Sequence, residues 1–453
     1  MFRRLASKMF LCYFVTLASR AAWAQDWSQV DKTVAEVLRK SGSPSASVVV
    51  VRDGRTVYRK AAGWAQLQPQ RAATPEMRYC IGSISKQFTA AAVLLLVEEG
   101  RLSLDDKVFR WFPQLVRSDQ VSVRQLLSMT AGYSDFWPQD YAMPCMLEPA
   151  TNIVETWGRR SLDFEPGTRW QYSNTNYTIA GRIVEQESGV PFFEFLRQRI
   201  FQPLHMESVV DVDGQPLPLS EPGGYRCFAL SRPQPAPKEG AGWLFAIGSL
   251  AMTASDLARW NQSMIDQTLL KPSSYRELER ETLLANGSGT RYGLGVSINT
   301  VRGRRQISHG GEISGFTAVN SVYPDDRAAI SVFTNLDATD APGQIASKVL
   351  EVLFPFGEDD RVRTILQGLQ QGRVDRSMFT DNLNHYYSAE ALAECASSLG
   401  PLGALKELTQ LSESSRGGMI FRVYRARLAE ATLRVTLFVT SENLFEQVLV
   451  GRE

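Results

Sequence analysis

Ser83 and Lys86 stand three residues apart, where Gly82 leads into an apolar stretch, Gln87–Glu99, that contains neither glycine nor proline. This stretch predicts a helix running through both residues, and residues three apart on a helix share one face. A lysine amine whose pKa is lowered by burial can take the proton of a neighbouring serine hydroxyl and make it a nucleophile. The same spacing also arises from a serine helix cap and a solvated lysine, so both interpretations stay open on these residues alone.

Two further polar segments carry side chains that fit this chemistry. Tyr172 and Asn174 lie just before a helix predicted at Thr178–Ser188; a phenol near a cation can relay a proton, and a carboxamide can donate to a substrate carbonyl. His309 is followed by two glycines, which let another group approach the backbone closely. The structural alternatives are a packed tyrosine with an asparagine helix cap, and a β-bulge at the glycines.

A sheet is predicted on either side of the Ser83 helix. The β-branched run Ala46–Arg52 meets a turn signal at Asp53 and returns as Thr56–Ala62, which is typical of a hairpin. Later in the chain, Ala318–Tyr323 and Ala328–Asn335 predict a second strand pair around a proline-containing turn. These strands are the elements expected to position the three polar segments.

Composition and charge argue against several classes of function. The chain has 453 residues, which predicts roughly two or three domains from typical domain sizes. Lys plus Arg number 49 and Asp plus Glu number 48, so the net charge of +1 provides no field for nucleic acid. The 3 histidines lie far apart, and no zinc-type spacing of cysteine and histidine occurs. We therefore expect no metal, no cofactor and no nucleic-acid partner.

Residues 1–24 are predicted to be a signal peptide. A basic start precedes an apolar run, Met9–Ala18, and the small residues Ala22 and Ala24 fit a cleavage site. The apolar run is too short to span a bilayer comfortably. We therefore expect an exported protein, periplasmic or secreted, with no stable membrane insertion once the signal is removed. The alternative is an uncleaved membrane anchor.

Four cysteines follow the predicted signal, at positions 80, 145, 227 and 395. An even number of cysteines in an oxidising compartment is compatible with disulfides, and four cysteines allow three complete pairings. Cys80, directly ahead of the Ser83 helix, is better interpreted as a small buried apolar residue. No pairing is predicted.

The three polar segments, in this order, resemble the motifs of a known family. S-I-S-K at Ser83–Lys86, Y-S-N at Tyr172–Asn174 and H-G-G at His309–Gly311 are similar to those of serine β-lactamases and penicillin-binding proteins. The branch they most resemble contains class C β-lactamases, D-alanyl-D-alanine carboxypeptidases and esterases. The likeness extends over residues 27–355. Three motifs in order, in matching surroundings, are far more specific than one.

The resemblance implies the fold of residues 27–355. It is an α/β (α+β) fold, in which an antiparallel sheet is flanked by helices and joined to a helical subdomain, and it would form a β-lactamase-related serine hydrolase domain.

Residues 361–453 predict a second, small C-terminal α+β domain. Helices are expected at Leu366–Gly372 and Ser388–Ser398, followed by three β-branched runs within Gly418–Val450. The layout is similar to that of NTF2-like domains. The acidic residues Glu358–Asp360 mark the linker to the first domain.

The resemblance implies that three side chains carry the proton transfers. Ser83 would be the acylated nucleophile, Lys86 its proton acceptor, and Tyr172 the group that passes a proton to the leaving group. Water would then release the acyl group, completing hydrolysis of an amide or ester: a β-lactam, a D-amino-acid peptide or a carboxylic ester. The alternative is a catalytically silent penicillin-binding-like protein that binds cell-wall peptides or a protein partner.

The resemblance also implies a substrate-binding group, which consists of Asn174, His309, Gly310, Gly311 and Glu312. Asn174 would hold the substrate amide, and the backbone N–H groups of Ser83 and Glu312 would form an oxyanion hole. Many relatives carry lysine where this chain has His309. Because histidine has an ordinary pKa near 6.5, His309 can be neutral where lysine is charged, and we expect it to select uncharged substrates. The expected partner is a small molecule or short peptide.

Overall fold

The structure of the chain, a computed structural model, describes residues 26–137, 145–301, 304–354 and 360–453. The signal peptide predicted at residues 1–24 lies outside the described residues, as does most of the linker predicted at Glu358–Asp360. Among the helices of the described ranges, none is both long and apolar enough to cross a membrane.

A seven-stranded antiparallel sheet forms the centre of the larger part of the chain. In spatial order its strands are β3 (Gln70–Ala72), β2 (Arg55–Leu67), β1 (Ser45–Arg52), β12 (Ala328–Thr334), β11 (Phe316–Tyr323), β10 (Arg304–Ile313) and β9 (Ser297–Val301). The two predicted strand pairs, β1–β2 and β11–β12, are present and adjacent. Ala46 of β1 lies opposite Thr334 of β12, so the two pairs join into one sheet.

The valine run of β1 is buried on both faces of the sheet, which is typical of a strand covered by helices on both sides. Val48 and Val50 face one apolar core, which contains α1 (Ser28–Ser41) and α10 (Ala341–Leu353). Val49 and Val51 face the other core, which the sheet shares with α8 (Ala254–Asp266) and the helical subdomain. Alternation along the strand thus assigns its side chains to two separate cores.

The helical subdomain surrounds α2 (Lys86–Glu98), in which every residue from Lys86 to Leu96 is buried. Its other helices are α3 (Val123–Leu127), α4 (Ile153–Gly158), α5 (Asn174–Ser188), α6 (Phe192–Leu196), α7 (Phe245–Gly248) and α9 (Pro272–Leu278). Four short strands lie between these helices and a fifth precedes α2: β4 (Tyr79–Cys80), β5 (Val210–Asp211), β6 (Tyr225–Arg226), β7 (Gln234–Pro235) and β8 (Leu250–Met252). A helix buried on all sides is a core helix.

The helix expected to run through Ser83 is shorter than predicted. Residues Gly82–Ser85 form a tighter 3-10 turn, and α2 begins only at Lys86. Gly82 adopts a positive φ of 50°, a conformation that glycine reaches at little cost, and this bends the chain sharply into the turn. Ser83 therefore stands on a short, tight turn ahead of the helix and not on its first regular turn.

The C-terminal part of the described chain has its own sheet and its own apolar core. Helices α11 (Asp360–Gln370), α12 (Asp381–Tyr386) and α13 (Ala389–Leu399) precede a four-stranded antiparallel sheet of β13 (Leu405–Arg416), β14 (Met419–Leu428), β15 (Thr432–Val439) and β16 (Phe445–Arg452). The predicted order, helices and then an antiparallel sheet, is confirmed. The first strand, β13, was not predicted, because its outward residues are polar and it is an edge strand. The NTF2-like layout stays a prediction.

Candidate active site

Backbone hydrogen bonds hold in place the segment that leads into the Ser83 turn. β4 pairs with β8, and the Ile81 N–H donates to the Leu250 carbonyl at 3.0 Å. Ser83 is half-buried and lines a cavity of about 540 Å³; we refer to this cavity as the Ser83 cleft. A serine hydroxyl on a fixed turn at the wall of a cleft is accessible to a substrate carbonyl.

Lys86 lies directly behind Ser83 and is completely buried, with 0% of its surface exposed. Its Nζ is 2.9 Å from Ser83 Oγ and 3.0 Å from the carbonyl oxygen of Ile247. Burial lowers the lysine pKa from its ordinary value to about 7, while the nearby Asp135 carboxylate acts in the opposite direction. A substantial neutral fraction near pH 7 gives Ser83 a proton acceptor within hydrogen-bond distance.

Tyr172 lies beside the same amine: Lys86 Nζ is 5.1 Å from the centre of its ring. Burial raises the pKa of Tyr172, and a hydrogen bond with Ser83 acts the other way. The phenol therefore stays protonated at neutral pH, so its hydroxyl can donate to a leaving group and be reprotonated from Lys86. This geometry fits the proton-relay role predicted for Tyr172.

His309 is nearly buried on β10, with 8% of its surface exposed. Its Nδ1 lies against the Gly310 carbonyl oxygen and its Nε2 is 3.2 Å from the Tyr292 hydroxyl. Since a carbonyl only accepts, Nδ1 carries the proton and Nε2 accepts from Tyr292. Burial, with a smaller contribution from Lys86, lowers the His309 pKa to about 4. The imidazole is therefore neutral at physiological pH, where a lysine in its place would carry a charge.

Gly310 and Gly311 continue β10 without interruption. Gly310 lies opposite Val319 and Gly311 opposite Ala318, in unbroken register with β11, so the β-bulge alternative is wrong. A Cβ on Gly311 would lie 1.8 Å from the Ile81 carbonyl oxygen and 3.3 Å from the Ser83 nitrogen. The missing side chain lets the Ser83 turn lie directly against the strand.

The same close contact brings together two backbone nitrogens of the predicted oxyanion hole. A Cβ on Gly82 would lie 2.6 Å from the Glu312 nitrogen, and Ser83 and Glu312 both line the Ser83 cleft. Two N–H groups beside a nucleophile are suited to stabilise negative charge on a substrate oxygen. The contact between the turn and β10 thus brings the two backbone groups of the predicted oxyanion hole close together.

Asn174 is the first residue of α5, and Ser173 occupies the cap position, so the alternative of an Asn174 helix cap is wrong. Asp135, which sequence reasoning missed, accepts the Asn174 backbone N–H at 2.9 Å and its Nδ2 at 3.3 Å. Asp135 lies in the aromatic-rich stretch after Tyr133, where nothing but its carboxylate distinguishes it from packing residues. Tyr292, which contacts His309, was also missed, because it belongs to none of the three polar segments.

The structure brings the predicted site residues to one place. The buried Lys86 contacts Ser83 from the protein interior. The Ser83 cleft is lined by the other predicted residues: Ser83, Tyr172, Asn174, His309, Gly310, Gly311 and Glu312. They come from the turn before α2, from the start of α5 and from β10. The roles predicted for them remain interpretations of this geometry.

The buried lysine predicts the pH dependence of any reaction that uses it as a base. Lys86 must be neutral to accept a proton, and its pKa is about 7. With a substrate that has no titrating group, such as a p-nitrophenyl ester, we expect kcat/KM to rise with pH, with a midpoint near 7 and a plateau by roughly pH 8 to 9, because kcat/KM then reports the free enzyme. A pH–rate profile measures this directly. A midpoint close to 10, the value of a solvated lysine, would contradict the prediction.

The sequence model of the beta-lactamase family matches residues 30–352. Because this match covers the larger part of the chain, the protein belongs to the beta-lactamase family, and the predicted resemblance is confirmed. A D-aminopeptidase of Brucella anthropi is 29% identical over 348 residues, which are 75% of this chain and 64% of that protein. This chain thus spans less than two thirds of the length of that relative.

Solved structures carry the same fold. D-amino acid amidase from Ochrobactrum anthropi SV3 is 26% identical, with a TM-score of 0.59, over 73% of this chain and 98% of that one. An octameric penicillin-binding protein homologue from Pyrococcus abyssi is 20% identical, with a TM-score of 0.64, over 94% of this chain and 100% of that one. The second comparison extends beyond the family domain into the C-terminal sheet.

Proposed function

We propose that the protein is an exported serine amidohydrolase, which cleaves the amide of a D-amino acid or the first peptide bond of a short D-peptide. The observation that carries this proposal is the 2.9 Å contact between Ser83 Oγ and the buried amine of Lys86, whose pKa is about 7. A nucleophile beside a base with a matched pKa is the minimum that acyl transfer requires.

The reaction would follow from the positions of the side chains. Ser83 Oγ attacks the substrate carbonyl while its proton moves to Lys86 Nζ, and the carbonyl oxygen becomes an anion against the N–H groups of Ser83 and Glu312. Collapse of this intermediate expels the amine, which takes a proton through the Tyr172 hydroxyl. Water then attacks the Ser83 ester with proton transfer to Lys86, and releases the carboxylic acid and the free serine.

The preference for D-amino-acid amides is supported by the relatives and by the charge of the cleft. Two of the matched proteins are a D-aminopeptidase and a D-amino acid amidase. Among the described residues that line the Ser83 cleft there is neither a lysine nor an arginine, and His309 is neutral above about pH 4. The described residues of the cleft wall therefore provide no cation to bind the free carboxylate of a penicillin or a cell-wall peptide.

Export is proposed from residues 1–24 alone, whose basic, apolar and small-residue regions follow each other in the order of a signal peptide. Edman sequencing of the protein secreted by a bacterial host should begin at Gln25. A start at Met1 would contradict cleavage.

A substrate comparison tests the proposed activity. The full-length mature protein is incubated with D-phenylalanine amide, L-phenylalanine amide, a p-nitrophenyl ester and nitrocefin. We expect kcat/KM for the D-amide to exceed that for the L-amide at least about tenfold, and nitrocefin to be the poorest substrate. A strong preference for nitrocefin over the D-amide would contradict the amidase assignment, and a strong preference for nitrocefin over the uncharged p-nitrophenyl ester would contradict the selection of uncharged substrates by His309. The Ser83→Ala protein controls for contaminating hydrolases.

A further inference from the structure

Among the described residues that line the Ser83 cleft, the charged side chains are acidic. Asp135, Glu312 and Asp340 all line it. The cation that contacts Ser83, Lys86, is only partly protonated near pH 7. A substrate entering the cleft therefore meets a negative potential, which attracts cations and repels carboxylates.

Asp135 differs from the other two carboxylates in how it is held. Glu312 and Asp340 are exposed, so water and salt screen their charges. Asp135 is partly buried, and its oxygens accept the backbone N–H groups of Asn174 and Trp137 at 2.9 Å and 3.2 Å. Its charge acts on Lys86, whose pKa it raises against the effect of burial. A fixed, poorly screened anion beside the nucleophile has the largest effect on a bound charge.

The Asn174 carboxamide also offers an acceptor. Its Nδ2 donates to Asp135 at 3.3 Å, and because a carboxylate only accepts, this contact fixes which end of the amide is which. Its Oδ1 is buried and has no hydrogen-bond partner among the described residues, and Asn174 is 4% exposed. A buried acceptor without a donor is costly, so a donor from a ligand is expected there. The Nδ2 group has a second N–H, so the expected donation from Asn174 to a substrate carbonyl stays a prediction.

We propose that Asp135 binds the α-ammonium group of the substrate, with Asn174 Oδ1 as a second acceptor. An α-ammonium is two bonds from the carbonyl carbon, so a substrate whose carbonyl meets Ser83 carries that group into the part of the cleft lined by Asp135 and Asn174. The substrate class is then amides and short peptides whose amino terminus is free. This inference deepens the proposed function and rests on it.

Three amides that differ only at the α-position test the inference without any mutation. D-phenylalanine amide carries the ammonium, N-acetyl-D-phenylalanine amide replaces it by a neutral amide, and 3-phenylpropanamide lacks it. We expect kcat/KM for D-phenylalanine amide to exceed the other two at least about 30-fold, since one fixed charge pair in a cleft is lost. Equal rates on the three amides would overturn the inference and leave the hydrolase intact.

The Asp135→Asn variant assigns the effect to this side chain. Its amide oxygen can still accept a backbone N–H, while the charge is gone. We expect at least a tenfold loss of kcat/KM for D-phenylalanine amide and less than a threefold loss for 3-phenylpropanamide. The matched control is Asp340→Asn, which removes one exposed charge from the same cleft and should change the ratio less than threefold. An equal loss on both substrates would mean that Asp135 is merely structural.

A binding measurement tests this inference independently of the proposed activity. The Ser83→Ala protein cannot form an acyl-enzyme, so calorimetry with D-phenylalanine amide measures recognition alone. We expect binding that weakens at least tenfold when Asp135→Asn is added, and no comparable binding of 3-phenylpropanamide. Such binding without hydrolysis by the wild-type protein would refute the amidase and support the ammonium site. Equal binding of both amides would refute the ammonium site whatever the activity.

Discussion

Replacing Ser83 by alanine is expected to abolish acyl-enzyme formation and to lower turnover of D-amino-acid amides by at least about 10³-fold. The substitution removes only one heavy atom, the Oγ that Lys86 contacts at 2.9 Å. The helix α2 and the turn keep their backbone contacts. A fluorophosphonate probe followed by intact-protein mass spectrometry measures the result: one probe mass on the wild-type protein, and none on the variant.

Ser85 provides the matched control for this experiment. It lies two residues further on in the same turn, is buried, and its hydroxyl accepts the Leu250 N–H at 3.4 Å. Ser85→Ala should still take up one probe, because Ser85 has no contact with Lys86 Nζ among those described. Labelling of Ser83→Ala equal to that of the wild type would exclude Ser83 as the nucleophile. A wild-type protein that never labels would favour the alternative of a catalytically silent binding protein.

Replacing Gly311 by alanine is expected to lower kcat/KM by at least about 10²-fold. The added Cβ would lie 1.8 Å from the Ile81 carbonyl oxygen and 2.8 Å from its carbon, and backbone atoms at such distances must move apart. β10 would then shift away from the Ser83 turn, which separates the N–H groups of Ser83 and Glu312. We also expect a loss of about 1–3 kcal/mol in the free energy of unfolding from overpacking.

The neighbouring glycine tests whether this effect is local. A Cβ on Gly310 would have its nearest contact at 3.8 Å, the Ala318 carbonyl oxygen, which is an ordinary van der Waals distance. The free energy of unfolding of Gly310→Ala should therefore lie within about 0.5 kcal/mol of that of the wild type. This variant should also lose far less activity than Gly311→Ala. Thermal unfolding and probe labelling of the two variants provide the comparison. If they behave alike, the contact between the turn and β10 does not determine the site.

The residues proposed to do the chemistry were predictable because their types and order are specific. A serine and a lysine three apart at a glycine turn, a tyrosine before a helix and a histidine before two glycines point to one reaction class even before folding. The sheet was predictable in part, since the valine run of β1 can hardly be anything other than a buried strand. The sequence also predicted Cys80 as a buried residue, and it is 4% exposed.

What the sequence did not reveal depends on contacts between distant segments. Asp135 belongs to the site because it contacts Asn174, which lies on another element. Tyr292 belongs to it because it contacts His309. The 3-10 turn at Ser83 depends on packing against β10, which local propensity does not record. The polar edge strand β13 lacks the apolar alternation by which strands are recognised.

The pairing of β1 with β12 has a consequence for synthesis of the protein. Ala46 can pair with Thr334 only after β12 has been synthesised. The strand β10, which carries Glu312, is also synthesised long after Ser83. Such long-range pairing is slow, because closing the loop costs conformational entropy before the stabilising contacts form. A nascent chain can thus contain the nucleophile and its base and still be inert, so the hydrolase becomes competent only when translation of its family domain is almost finished.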